Sequence, residues 1–170
     1  MLATICVVGL IAVVSGVTAL LSGWYNVSAT KQHWQPVYST LERGMVESVR
    51  HHARDIVTPP LTAPATIQRG AAIYRDRCVQ CHGGPGVAQA DFGKSMQPVP
   101  GSLVSAAKRW QANELYWITR HGIKMSGMPA WELHLSDQDL WSVVSLLMKL
   151  PELSPQEFDR ITAVVTERAQ

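Results

Sequence analysis

The sequence predicts an all-α protein: a helical domain preceded by one N-terminal transmembrane helix and an added amphipathic helix. Three observations carry that expectation. Residues 2–21 contain no charged side chain, whereas all 15 Lys and Arg and all 13 Asp and Glu residues fall after Tyr25. Beyond them, apolar residues recur at three- and four-residue intervals, the spacing of one helix face. No stretch shows the strict alternation of a half-buried strand. With 170 residues, 46 % of them hydrophobic, the chain has room for one modest core and an appendage. The expected organisation is an anchor over 1–25, an amphipathic helix and Pro-rich linker over 26–65, a compact domain over 66–150 and a helical tail over 151–170. A net charge of +2 without a Lys/Arg cluster argues against a nucleic-acid partner, since such binding rests on phosphate neutralisation. Three cysteines in a chain this long do not describe a disulfide scaffold.

The anchor reads LATICVVGLIAVVSGVTALL from Leu2 to Leu21. As one helix it would reach about 30 Å, the thickness of a bilayer's hydrocarbon layer. Trp24 and Tyr25 follow, where amphipathic rings sit at the headgroups. A cleaved secretory signal is the competing expectation, with Val27-Ser28-Ala29 as a weak cleavage site. The long apolar run and the lack of a preceding basic residue favour an uncleaved anchor. Gly9 and Gly16 give only a weak hint of a partner helix, and Cys6 reads as apolar filler.

Val37, Leu41, Met45, Val49 and Ile56 predict an amphipathic helix over 36–56, with Glu42, Arg43, Glu47, Arg50 and Arg54 on its wet side. It is expected to pack on the domain that follows rather than to mate with a partner subunit. His51 and His52 near its end are expected to be solvated or capping residues. Thr58-Pro59-Pro60-Leu61-Thr62-Ala63-Pro64 reads as a semi-rigid extended spacer.

Within the domain, Thr66 is expected to cap a helix running through Ile67, Gly70, Ala71 and Tyr74 to Cys78. A second helix is expected over Asn113–His121, closed by Gly122. Ser136 and Asp139 resemble a capping box; Leu140, Val143, Val144 and Leu147 then form a buried stripe that Pro151 ends. Ser154-Pro155-Gln156-Glu157 opens a last helix with Pro at its first position. With four acids and two arginines, that tail reads as a surface element.

Cys78-Val79-Gln80-Cys81-His82 is C-x-x-C-H, the attachment sequence of c-type haem. Two thiols three residues apart on one helical turn can add across two vinyl groups of one porphyrin edge, which holds the adjacent His82 under the iron. A zinc site would need two further ligands at fitting spacing, and a redox dithiol would follow a strand in an α/β pattern. One covalently attached haem c is therefore expected. Such haem is attached outside the cytoplasmic membrane, so the domain should be periplasmic with the N-terminus inside: a single-pass protein of the bacterial inner membrane. For the second axial position a Met suits electron transfer. Met1, Met45 and Met148 lie in the anchor or in helical stripes, and Met96 is only fourteen residues past His82. Met128, flanked by Gly127 and Pro129 in a segment that cannot be helical, is preferred; Met125 is the alternative.

With these motifs the chain resembles a membrane-anchored class I monohaem cytochrome c. The likeness covers roughly Thr66 to Leu150. It rests on Gly70-x-x-x-Tyr74-x-x-x-Cys78-x-x-Cys81-His82-Gly83, the Pro98-Val99-Pro100-Gly101-Ser102-Leu103 loop, Gly127-Met128-Pro129-Ala130-Trp131 and a final helix carrying Trp141. The resemblance implies that His82 and Met128 are the axial ligands and that a carbonyl in the Pro98–Pro100 loop accepts the His82 Nδ1–H. It also implies that Gly70 lies against Trp141 where the terminal helices of the fold cross. Relatives often continue the Met-Pro-Ala-Trp/Phe motif with Gly; here Glu132 follows. Trp110 and Trp131 are expected to pack on the haem or shield it from water.

Residues 66–150 hold nine basic and six acidic side chains. Lys108, Arg109, Arg120 and Lys124 flank the haem loops, where they would neutralise propionates or form a weak docking ring for an acidic partner. The expected function is transfer of single electrons between redox partners at the periplasmic face, as the cytochrome subunit or dedicated partner of a respiratory or dehydrogenase complex. The protein is expected not to be an enzyme and to have no small-molecule substrate of its own. The alternative is a haem-based sensor or peroxidase-like protein with a displaceable distal Met.

Overall fold

The computed structural model describes residues 1–163; the last part of the expected tail, 164–170, lies outside them. Contacts along the chain divide it into two units, residues 1–31 and the remainder from Gln32 onward. The first holds α1 (Leu2–Leu21), twenty residues long, uncharged, and apolar enough to cross a membrane.

In the second unit α2 spans Gln35–Ala53, α3 Pro64–Arg77, α4 Val79–His82, α5 Asp91–Lys94, α6 Ala112–His121, α7 Asp137–Lys149 and α8 Pro155–Ala163. Single 3-10 turns lie at Ala106–Lys108, Trp131–Leu133 and Leu150–Glu152. Among the described residues the only β-type pairing is an isolated bridge between Gly84 and Val87. The core forms where α3, α6 and α7 meet, around Ala71, Tyr74, Leu115, Tyr116, Leu140, Val143, Val144, Leu146 and Leu147. Tyr116 stacks on Trp141 with centroids 4.1 Å apart.

Helix starts follow the local chemistry. Ser136 Oγ accepts from Asp139 N, and the Asp139 carboxylate accepts from Ser136 N and Oγ, a reciprocal capping box. Ser154 and Glu157 repeat the arrangement at α8. α6 begins one residue earlier than expected, because Gln111 and Glu114 form its capping box. α3 begins at Pro64 and not after a Thr66 cap: proline, with φ preset and no N–H to lose, suits the first helical position.

The added helix packs on α6, and its buried face differs from the expected stripe. Val49 (1 % exposed) and Ala53 (0 %) are buried, Tyr38, Glu42, Met45 and Val46 are half-buried, while Val37 and Leu41 point outward. A four-residue spacing drifts by about 40° per step around a helix of 3.6 residues per turn. Val37 is thus rotated by about a third of a turn from Val49, and Tyr38 and Glu42 take its side of the interface. The helix ends at Ala53, three residues short of expectation, and Ile56 and Leu61 in the extended stretch beyond it pack against the core. That stretch is therefore a strap along the domain.

Two further expectations are corrected. The nearest neighbour of Gly70 is the backbone of Ser142, one residue past the expected Trp141, whose ring stacks on Tyr116. The tail helix α8 is not a surface element. Phe158 (2 % exposed) is buried with its ring edge-on to Tyr74 at 6.1 Å, and Arg75 Nη1 donates to Thr162 O at 2.7 Å.

Candidate functional site

The end of α3 and the short α4 turn the C-x-x-C-H segment into a single tight corner. Cys81 N and His82 N both donate to Cys78 O, at 3.1 and 3.0 Å. Tyr74, fully buried one turn earlier, donates its hydroxyl to Gly83 O at 2.8 Å and so pins the exit of that corner. Burial pushes the Tyr74 phenol well above its ordinary range, which keeps it a donor.

Cys78 and Cys81 are not bonded to each other, and both line a cavity of about 430 Å³ together with His82, Met96, Pro98, Pro100, Met128 and Trp131. A second cavity of about 320 Å³ shares His82 and Met128 and adds Trp110 and Arg109. Both volumes fall in the size class of cofactor pockets, roughly 300–1,000 Å³. Burial pushes the Cys78 thiol up to about 12, with Cys81 adding to the effect and Arg77 opposing it.

His82 Nδ1 donates to Gly101 O at 2.8 Å. The acceptor is thus one residue past the expected Pro98–Pro100 stretch. The Pro100 carbonyl is engaged elsewhere, accepting from Gln89 Nε2 at 3.1 Å, and the same amide group donates to Cys81 O. Gln89 therefore braces the Cys81 corner against the Pro loop, a role that no sequence pattern announces. Burial lowers the His82 pKa, with the Gly101 hydrogen bond opposing. A neutral imidazole with Nδ1 committed to a carbonyl leaves Nε2 as its donor nitrogen, the usual tautomer of a metal-ligating His.

The loop from Gly122 to Met128 is locked by its own short bonds. Ser126 Oγ donates to Ile123 O at 2.7 Å and accepts from Met128 N at 3.1 Å; Ile123 N donates to Met128 O at 3.2 Å. Gly122, at φ +66°, has Met128 O so close that a Cβ would lie 2.6 Å from it. Met128 emerges half-buried into both cavities. Met125 has φ +59°, is 86 % exposed and borders neither. Glu132 accepts from Arg120 Nε at 3.0 Å and pairs with His121 Nδ1 at 3.2 Å, which ties the loop's exit to the end of α6.

Of the flanking cations, Arg109 pairs with Glu42 at 3.0 Å and Arg120 with Glu132, so neither is an uncommitted surface charge. His51 and His52 are exposed; His52 stacks on Trp117 at 5.7 Å. Two methionines set aside on sequence grounds reach the cavity. Met96 packs its thioether against Gly127, and Met45 arrives from α2. Among the described residues no group of three or more His, Cys, Asp or Glu side chains could hold a bare metal ion.

The donor set therefore fits a porphyrin: two thiols on one turn, an oriented imidazole and a thioether, all bordering apolar space. Residues 65–147, just under half of the chain, match the family described as cytochrome C oxidase, cbb3-type, subunit III. Those residues form a cytochrome c domain. No curated protein and no solved structure matches the chain. The cytochrome domain implies covalently bound c-type haem, and Cys78 and Cys81 are the two thiols that border this cavity. Both α2 and α8 lie outside the matched residues, although both pack against the domain.

Proposed function

We propose that this protein is a membrane-tethered c-type cytochrome that passes single electrons between redox partners at the periplasmic face. It would work as the cytochrome subunit or dedicated partner of a respiratory or dehydrogenase complex. The observation that carries the reading is the shared cavity bordered by His82, Met128 and the two attachment thiols. Bound there, haem supplies reversible one-electron exchange at its iron. His82, held by Gly101 O, would be the proximal ligand, and Met128, held by the Ser126 hydroxyl, the distal one. A His/Met pair is the donor set of electron-transfer cytochromes. Gly101 O fixes the imidazole ring and Ser126 Oγ the main chain that carries the Met128 thioether, so little rearrangement is needed when the charge changes. Trp110, Trp131, Pro98 and Pro100 line the cavity and would exclude water from the haem faces and edge.

The apolar α1 supports the tether, and the matched family's description as an oxidase subunit supports the complex. The deciding experiment adds CO to the dithionite-reduced, detergent-solubilised protein. A low-spin spectrum unchanged by CO is expected; a high-spin ferrous spectrum with tight CO binding would replace the carrier by a sensor or peroxidase-like protein. Mild-detergent extraction from native membranes, with identification of co-purifying chains, tests the complex.

A further inference from the structure

We infer that α2 is a built-in wall of the cofactor crevice and that Met45 is the positioning residue through which it keeps the haem dry. The inference rests on the electron-transfer reading above and concerns an element outside the family-matched residues. Met45 borders both cavities that His82 and Met128 share, and a third of about 220 Å³ beside them. Three independent ties hold its helix in place. Val49 and Ala53, one and two turns on, are buried. Asn113 Nδ2 of α6 donates to Ala53 O at 2.9 Å, so this terminal carbonyl, which also accepts from Ile56 N at 3.0 Å, ties the end of α2 to α6. Glu42 pairs with Arg109 at 3.0 Å, and Arg109 itself borders the cavity.

A wall tied at its buried residues, by its terminal carbonyl and by a flanking ion pair is a fixed part of the domain, not a surface awaiting a partner helix. The residue it presents is an unbranched, polarizable thioether, which fills irregular apolar gaps well. Excluding water there disfavours the more highly charged oxidised iron, so it raises the midpoint potential and slows entry of external ligands.

The test compares Met45→Ala, Met45→Leu and wild type as full-length holoprotein in detergent, reading three quantities: midpoint potential, the rate of imidazole binding to the ferric form, and the thioether–iron charge-transfer band. Met45→Ala should lower the potential and speed imidazole binding by about tenfold, as if on the order of 1.4 kcal/mol of barrier were lost. The band should persist. Met45→Leu, which restores apolar volume without sulfur, should return both values to those of wild type. A Met45→Ala protein with unchanged potential and imidazole rate overturns the inference. So does loss of the band in Met45→Leu, which would make Met45 a ligand and not a wall. A wild-type protein that lacks the band defeats the underlying His/Met reading instead, so the two failures are separable.

Discussion

Gly70 on α3 lies directly against the main chain of Ser142 on α7. A Cβ on Gly70 would overlap the Ser142 carbonyl oxygen and lie 2.6 Å from its carbonyl carbon and 3.2 Å from Val143 N. Neither neighbour is a flexible side-chain end. The two helices that carry most of the core therefore touch backbone to backbone, and the helix bearing Cys78 at its end is placed by that contact.

Gly70→Ala is accordingly expected to destabilise the domain although alanine is the better helix former. The propensity gain is about 1 kcal/mol, against an overpacking cost of roughly 1–3 kcal/mol or more where the neighbour is main chain. Chemical denaturation of the holoprotein, followed by far-UV circular dichroism, should show a net loss of about 2 kcal/mol. An equal or raised midpoint would mean that the helices separate freely.

Met128→Ala should abolish the thioether–iron band and lower the midpoint potential by on the order of 100 mV, since the axial ligand is a principal determinant of haem potential. Met125→Ala should do neither, because that side chain is in solvent. Optical redox titration of the two variants side by side distinguishes them, and the reverse pattern would reassign the distal ligand.

Ser126→Ala removes the hydroxyl that joins Met128 N to Ile123 O. A lost loop hydrogen bond costs about 1 kcal/mol, so the fold should survive. The Met–iron bond should loosen, seen as a lower temperature for loss of the charge-transfer band while the helical signal persists.

Phe158→Ala tests whether α8 belongs to the core. Truncating a buried Phe costs about 3–5 kcal/mol, and here it would also leave Tyr74 without its edge-on partner next to the Cys78 corner. Thermal unfolding should fall well below that of wild type; an indifferent midpoint would return the tail to the surface.

Asp139 gives an acid-side signature. Its carboxyl is held below the ordinary range by the hydrogen bond from Arg69, with Ser136 adding to the effect. A folded-state pKa below the unfolded one means that the contribution is fully present above about pH 4 and lost as pH falls through the folded value. Arg69 is half exposed, so its salt bridge adds at most about 1 kcal/mol, and the capping-box hydrogen bonds that the same carboxylate accepts from Ser136 add about 1 kcal/mol more. Asp139→Asn should lower the melting temperature at pH 7 and converge with wild type near pH 2; parallel curves across the range would remove the carboxylate from the ledger.

Much of this protein is legible along the chain because its determinants are local. An uncharged run of bilayer length, a proline or a Ser-x-x-acid box at a helix start, and two thiols and an imidazole on one turn act within a few residues of one another. The all-α class, α1, the α7 and α8 starts and the cofactor type could therefore be read directly. Features set by residues far apart could not. Gly101 O accepts from His82 while Pro100 O accepts from Gln89; Tyr38 and Glu42 face inward because helical drift turns Val37 and Leu41 away; Phe158 is buried because Tyr74 and Gly84 leave it a place. The sequence alone determined which chemical groups are present and which stretches are helical, since short-range sterics and hydrogen bonds suffice for that. Only the tertiary structure decided which thioethers border the crevice and which helix walls it, because those are outcomes of packing between segments whose separation in sequence carries no record of their distance in space.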